Sequence, residues 1–403
     1  MQKYVFLQSF STQIDMKENE SALFSKYIID GVQQDATPSE MLNECMGFSD
    51  DCCDDDCGFA DIIDESSDYP VTSFRYDSSR NQEYLEMVSS YDEERPARIL
   101  YPETFTKMRI ASALTERLWN KGHYRLGDLT LWAEWEWNSK PLGNMAAFYR
   151  SVKAASEYIY DLGCGLEGFA YDGCDNTSVV RFCAWLPESQ ETDQTSADET
   201  PEQTFLFKSS PYESRHPWIE DERKCSETMI PDTDSRIIYI PFDTSSFKLG
   251  GSLLAELNGH NGGACPKIED PDYFIDCYEV VREMVEDGII IAGTEVGDGG
   301  IAVAASRMCQ DCGLEMNIGG IMSSYVEDDS TRVLFSEIPG VLIQVSNSNF
   351  DYLDSQLILQ DVAYYLLGSP DPEISGVRLR EKADITVAGI LASLLDQATE
   401  GED

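Results

Sequence analysis

The chain has 403 residues, 42% hydrophobic and 26% charged, a soluble composition long enough for two or three domains. Its 74 acidic residues face only 29 basic ones, a net charge of −45, and a field of that sign repels DNA, RNA and anionic lipid. No run approaches the roughly 20 apolar residues of a membrane helix, so neither a nucleic-acid nor a membrane partner is expected.

The first residues, MQKYVFLQSFSTQIDMKEN, are too broken for a secretory signal, and a cytoplasmic protein is the expectation. Residues 1–100 read as an acidic N-terminal region, partly loop or disordered. Between Ile28 and Phe74 thirteen Asp and Glu accumulate without one Lys or Arg. Clustered Asp can bind Ca²⁺ or Mg²⁺, but the EF-hand order is absent there. A halophilic source or a basic partner would account for the acidity as well.

Residues 101–235 read as a folded unit with an acidic insertion at 187–204. LGDLTLWAEWEW (126–137) alternates at period two and predicts a strand containing Trp132, Trp135 and Trp137. MAAFYRSVKAASEYIYDLG (145–163) predicts an amphipathic helix closed by Gly163, and GFAYDG and TSVVRFCAWLP predict strands around a turn.

Residues 236–403 alternate strand and helix. RIIYIP (236–241) is a strand leading to a Ser- and Gly-rich turn and a helix starting near Ser252. DPDYFIDCYEVVREMVEDG (270–288) is a helix capped by Asp270 and stopped at Gly288. IIIAGTEV is a strand, IAVAASRMCQDCG a helix ending at Gly313, and LEMNIGG and VLIQVS are strands. The expected fold class is α/β (α+β), with mixed sheets packed against helices.

Twelve cysteines raise the question of metal. Cys52, Cys53 and Cys57 cluster, and Cys309 and Cys312 form a C-x-x-C, but zinc normally takes four ligands. None of the three histidines (His123, His216, His260) has finger spacing. Small-residue packing in a helix explains Cys309 better.

Two strand–turn–helix junctions are the candidate chemistry: Lys248-Leu249-Gly250-Gly251-Ser252 and Gly297-Asp298-Gly299-Gly300. Glycine at a helix start lets backbone N–H groups approach a phosphate. Lys248 would add a cation, Ser252 a hydroxyl, and Asp298 a metal or ribose ligand. Neither junction fits the Walker A loop or the G-x-G-x-x-G fingerprint, and such turns are more often structural.

The sequence K-LGGS-LLAELNG, then VREMVEDGIIIAG, DGGIAVAASRMCQDCGLEMNI and LFSEIPGVLIQV, resembles one known domain over residues 236–346. It is similar to the C-terminal domain of the aminoimidazole-ribonucleotide (AIR) synthase superfamily, above all the version in phosphoribosylformylglycinamidine (FGAM) synthase. Residues 101–235 would be a divergent counterpart of that superfamily's N-terminal domain, giving an AIR-synthase-like two-domain unit. The resemblance implies ATP- and Mg²⁺-dependent conversion of formylglycinamide ribonucleotide to its amidine, with Gly250, Gly251 and Ser252 lining a phosphate turn. By the same resemblance Asp298, Gly299 and Gly300 would form a second turn facing the site, Glu337 would be the acidic residue of LF-x-E, and the chain would form a homodimer. With Lys248 added as the cation, Lys248, Gly299 and Gly300 are the expected nucleotide contacts and Asp298 and Glu337 the expected metal ligands. The departures are equally specific: His-Asp-x-Ser before Asp-Gly-Gly is replaced by Thr294-Glu295-Val296-Gly297, and no glutaminase module is present in this sequence. Ammonia would come from solution or a separate chain. A degenerate relative acting as a nucleotide-binding or partner-binding regulatory subunit is the alternative, and an unrelated acidic interaction protein is the third. A cluster of acidic and basic side chains converging on both turns separates the first two, with Lys248, Arg307 and Arg332 as the basic candidates.

Overall fold

The computed structural model describes residues 22–46, 75–122, 124–186, 222–260 and 262–379. The acidic cysteine cluster at 52–57, His123, His216 and the insertion at 187–204 lie outside them. A small hairpin, β1 (Ile28–Ile29) and β2 (Val32–Gln33), precedes helices α1 (Pro38–Met46), α2 (Asn81–Ser89) and α3 (Pro102–Thr115).

The first large sheet is built around β3 (Thr130–Trp137), whose alternation buries Leu131, Ala133, Trp135 and Trp137 on one face. Helix α4 (Asn144–Asp161) carries the chain back so that β4 (Gly165–Gly173) runs parallel to β3. Strand β5 (Val179–Trp185) then pairs antiparallel on the other side of β3, and the order is β4-β3-β5.

The second sheet takes β6 (Ser235–Pro241), β7 (Ile290–Val296), β9 (Gly340–Ser346) and β10 (Tyr365–Gly368) in the order β10-β6-β9-β7, all antiparallel. Both faces are covered, which is why RIIYIP and VLIQVS are continuous apolar runs. Ile238 and Ile240 of β6, with Val341, Ile343 and Val345 of β9, share a core with Trp135, Phe148 and helix α6 (Pro271–Glu286). Ile237, Tyr239 and Leu342 point the other way, onto α7 (Gly300–Met308) and α5 (Leu253–Leu257). A third sheet, β11-β8-β12, joins Pro370–Asp371, Gly313–Met316 and Val377–Leu379. Three further helices are α8 (Gly319–Ser324), α9 (Ser330–Phe335) and α10 (Asn347–Leu359).

One predicted boundary moves. The helix expected to end at Gly313 stops at Met308, and Gly313 opens β8 instead. A Cβ at Gly313 would meet the carbonyl oxygens of Gly376 and Ile374 at 2.6 Å, so this glycine serves strand contact rather than a helix stop. Cys309 is therefore the residue just past α7, and Cys312 is buried with its Sγ 3.9 Å from the Met229 carbonyl. Among the described residues no group of three His, Cys, Asp or Glu is arranged to hold a metal, and no helix is long and apolar enough to cross a membrane.

Candidate functional site

The two glycine turns come together beneath a strap, Tyr91–Leu100, that crosses from the first sheet. The first turn ends at Ser252, whose side chain accepts a hydrogen bond from Ala255 N and caps α5. Gly251 lies at φ +74°, and a Cβ there would strike the Tyr101 ring at 2.8 Å. Tyr101 in turn donates to the Gly263 carbonyl at 2.8 Å. Ser336 fixes the turn from behind, accepting from Lys248 N at 3.1 Å and donating to the Lys248 carbonyl at 2.8 Å.

The second turn leaves β7 at Gly297 and enters α7. Gly299 and Gly300 both lie in the left-handed region, at φ +80° and +69°. Asp298 sits just before them and faces the first turn.

Glu337 joins the two turns. Its Oε1 accepts from Leu253 N at 2.8 Å, the start of α5, and from Gly299 N at 2.9 Å, the start of α7. Its Oε2 accepts from Arg95 at 2.6 Å. Two backbone donors of the kind expected to hold a phosphate are thus already turned onto one buried protein carboxylate.

Arg95 is the centre of the cluster, only 4% exposed. Besides Glu337 it donates to Asp298 and to the Gly251 carbonyl, the latter at 2.5 Å. Arg109, on α3, reaches the other oxygen of Asp298 at 2.9 Å. Arg98 pairs with Glu256 on α5. Burial pushes the Arg98 guanidinium down to about 10, and the like charge of Arg95 adds to that. Burial raises the Asp298 carboxyl, but Arg109 and Arg95 outweigh it and hold the group at about 2. The space left between the turns, lined by Arg95, Arg109, Gly250, Gly251, Ser252 and Asp298, is about 20 Å³. That volume suits one water. A larger polar cleft of about 330 Å³ opens on the far side of Asp298, bounded by Tyr91, Glu93, Ser306 and Arg307.

Of the predicted residues, Gly250, Gly251, Ser252, Asp298 and Glu337 line the convergence. Gly299 and Gly300 shape its far wall through their backbone. The Lys248 side chain is not among the residues lining it, and its backbone is bound to Ser336 instead. Arg307 faces the outer cleft near Glu295, and Arg332, on α9, pairs with Glu327 and Asp329 just before that helix. Thr294, where the resemblance leads one to look for His, is 2% exposed within β7. The basic residues that do converge, Arg95, Arg98 and Arg109, were not singled out from sequence. A Mg²⁺ ion does not fit these residues as they stand, because both carboxylates are held by guanidinium groups and backbone N–H donors.

The profile described as "AIR synthase related protein, C-terminal domain" matches residues 243–352, the stretch that holds both turns and Glu337. That stretch is similar to the AIR-synthase-related C-terminal domain. A probable phosphoribosylformylglycinamidine synthase of Arabidopsis thaliana is 24% identical over 284 residues, covering 68% of this chain and 18% of that protein. The human phosphoribosylformylglycinamidine synthase is 21% identical over 272 residues, again 66% of this chain and 18% of the relative. The chain therefore spans less than a fifth of the length of these two relatives. Among solved structures, T. maritima PurL complexed with FGAR superposes with a TM-score of 0.50 at 11% identity, covering 71% of this chain and 42% of that one. The shared fold is AIR-synthase-like, and the AIR-synthase-related domain supplies every residue of the turn pair.

Proposed function

We propose that this protein is a non-catalytic relative of FGAM synthase, a regulatory or partner-binding subunit in which the glycine turns serve structure. One observation carries the reading. The Glu337 carboxylate takes the N–H groups of Leu253 and Gly299, and Arg95 then ties Glu337 to Asp298. The donors a phosphate would use and the carboxylates a metal would use are spent on one another. The replacement of His and Ser before Asp-Gly-Gly agrees with this. Pairing with a second copy is part of the proposal, since β4 and β5 are edge strands, each paired as a strand only with β3 among the described residues, and the outward face of this sheet carries Trp132 and Trp185.

The test is calorimetry and thermal melting of the purified protein with ATP and Mg²⁺, followed by an assay with formylglycinamide ribonucleotide and ammonia. No binding heat, no stabilisation at millimolar nucleotide and no amidine product are expected. Micromolar binding abolished by Asp298→Asn, or any turnover, would overturn the reading. Asp298→Asn is a better control than alanine at Gly250, where a Cβ would lie 2.6 Å from the Ala264 carbonyl and unsettle the turn itself. The competing reading, an ATP-dependent ligase, draws on the same convergence of acidic and basic side chains and on the FGAM synthases to which the chain is similar. The product assay separates the two.

A further inference from the structure

Three oxygen atoms from three separate segments converge on one group: the Gly251 carbonyl from the first turn, Asp298 Oδ1 from the second and Glu337 Oε2 from the loop before β9. All are hard donors of the kind that Mg²⁺ and Ca²⁺ accept, and they bring two negative charges. What they surround is the Arg95 guanidinium, with Arg109 supplying the second positive charge from the side. Glu256, 3.8 Å from Arg95 Nε, and its partner Arg98 add one charge of each sign, so the balance is three against three with no ion needed.

The geometry points to Arg95 as a built-in replacement for a divalent cation, delivered in cis by the strap, and to a latent divalent-cation site that opens when the guanidinium is removed. This rests on the reading that the turn pair is closed. The strap is fastened on the other side of the cluster: Arg181 of β5 reaches Glu94 at 2.5 Å through its Nη2, and Ala97 N donates to the Ser178 carbonyl at 2.7 Å. Arg95 is therefore carried on a segment held by the first sheet, while its partners belong to the C-terminal domain. A free ion would leave that link to chance, whereas a tethered guanidinium makes the turn pair and the attachment of the strap one event. The carboxylates still need a counter-charge, because two buried anions close together are each costly to ionise. Removing Arg95 leaves that need to be met by a proton or by a divalent ion.

The experiment compares wild type, Arg95→Ala and Arg95→Ala/Asp298→Asn by Mn²⁺ titration followed by electron paramagnetic resonance, with Mg²⁺ as competitor. Acidic surface groups bind Mn²⁺ weakly in every variant, so the quantity read is the difference between them. Arg95→Ala should gain one equivalent bound about tenfold more tightly than this background, with matching stabilisation against heat. The double variant should lose it. Wild-type melting should be the same in EDTA and in Mg²⁺ at matched ionic strength. Should Arg95→Ala fail to fold in EDTA, millimolar Mg²⁺ should restore its transition, and Arg95→Gln provides a second, less disruptive variant. If neither variant gains the extra equivalent or is rescued by the ion, the proposal is overturned. Turnover by wild type would instead remove the non-catalytic reading and leave the Mn²⁺ result to stand by itself.

Discussion

At Asp298 burial and charge act in opposite senses, and charge prevails. Arg109 and Arg95 hold the carboxyl at about 2, below its ordinary value of 3.8. A carboxylate whose folded value is depressed contributes stability that is fully present above the unfolded value and is lost as pH falls through the folded one. The window is thus roughly pH 4 down to pH 2, and the gap between the two values corresponds to about 2 kcal/mol. Asp298→Asn removes the titrating group, so its deficit against wild type in urea unfolding should shrink by about that amount between pH 5 and pH 2. A deficit that stays constant over that range would show that Asp298 is not held by its arginines in the way described. Part of the deficit should persist at low pH, because the asparagine still leaves the buried Arg95 and the half-buried Arg109 with fewer charged acceptors.

Among the elements, the turn into α7 is tightly constrained. Gly300 lies at φ +69°, and a Cβ there would meet the carbonyl oxygens of Leu334 and Ser336 at 2.7 Å. Strain and backbone contact combine, so Gly300→Ala should cost roughly 2–5 kcal/mol and lower the melting temperature well below that of wild type. Gly262→Ala, with nothing near its Cβ, is the control and should be close to neutral. Equal melting of the two variants would sink the account. The turns, the Asp270 cap and helices α4 and α6 were legible in the sequence because each is a local pattern of glycine, capping residue or apolar period. Helix α5 begins where expected, after Ser252, and is short because Gly259 at φ +71° turns the chain and His260 N returns to the Ala255 carbonyl. Arg95 was not legible. It sits in YDEERPARIL, which has no period, and its acidic partners lie 203 and 242 positions further along the chain. Glu337 came into view through the resemblance in LFSE, and nothing local marks it as the carboxylate that caps two helices.

Over the whole molecule the acidity works against the fold that the cores hold together. One apolar cluster runs from the Trp-rich strand through α4 and α6 to the face of β6 and β9, so the first sheet and the C-terminal domain share their interior. The surface carries a net charge of −45, and mutual repulsion between exposed carboxylates opposes the compact state. Salt screens exposed charges over about 10 Å at 0.1 M and about 3 Å at 1 M, while buried pairs such as Arg95 with Glu337 feel it far less. Screening should therefore relieve more repulsion than it removes attraction. Raising NaCl from low concentration toward 1 M should increase the melting temperature by several degrees, equivalent to roughly 1–2 kcal/mol for a domain of this size. The transition should stay single at every salt concentration, because the halves cannot expose their common core separately. A melting temperature that falls with NaCl would mean that the exposed ion pairs, Lys121 with Glu222 and Lys140 with Asp175 among them, outweigh the excess of carboxylates. Two separate transitions would mean that the shared core does not bind the halves together, and the strap that carries Arg95 would then be the main link between them.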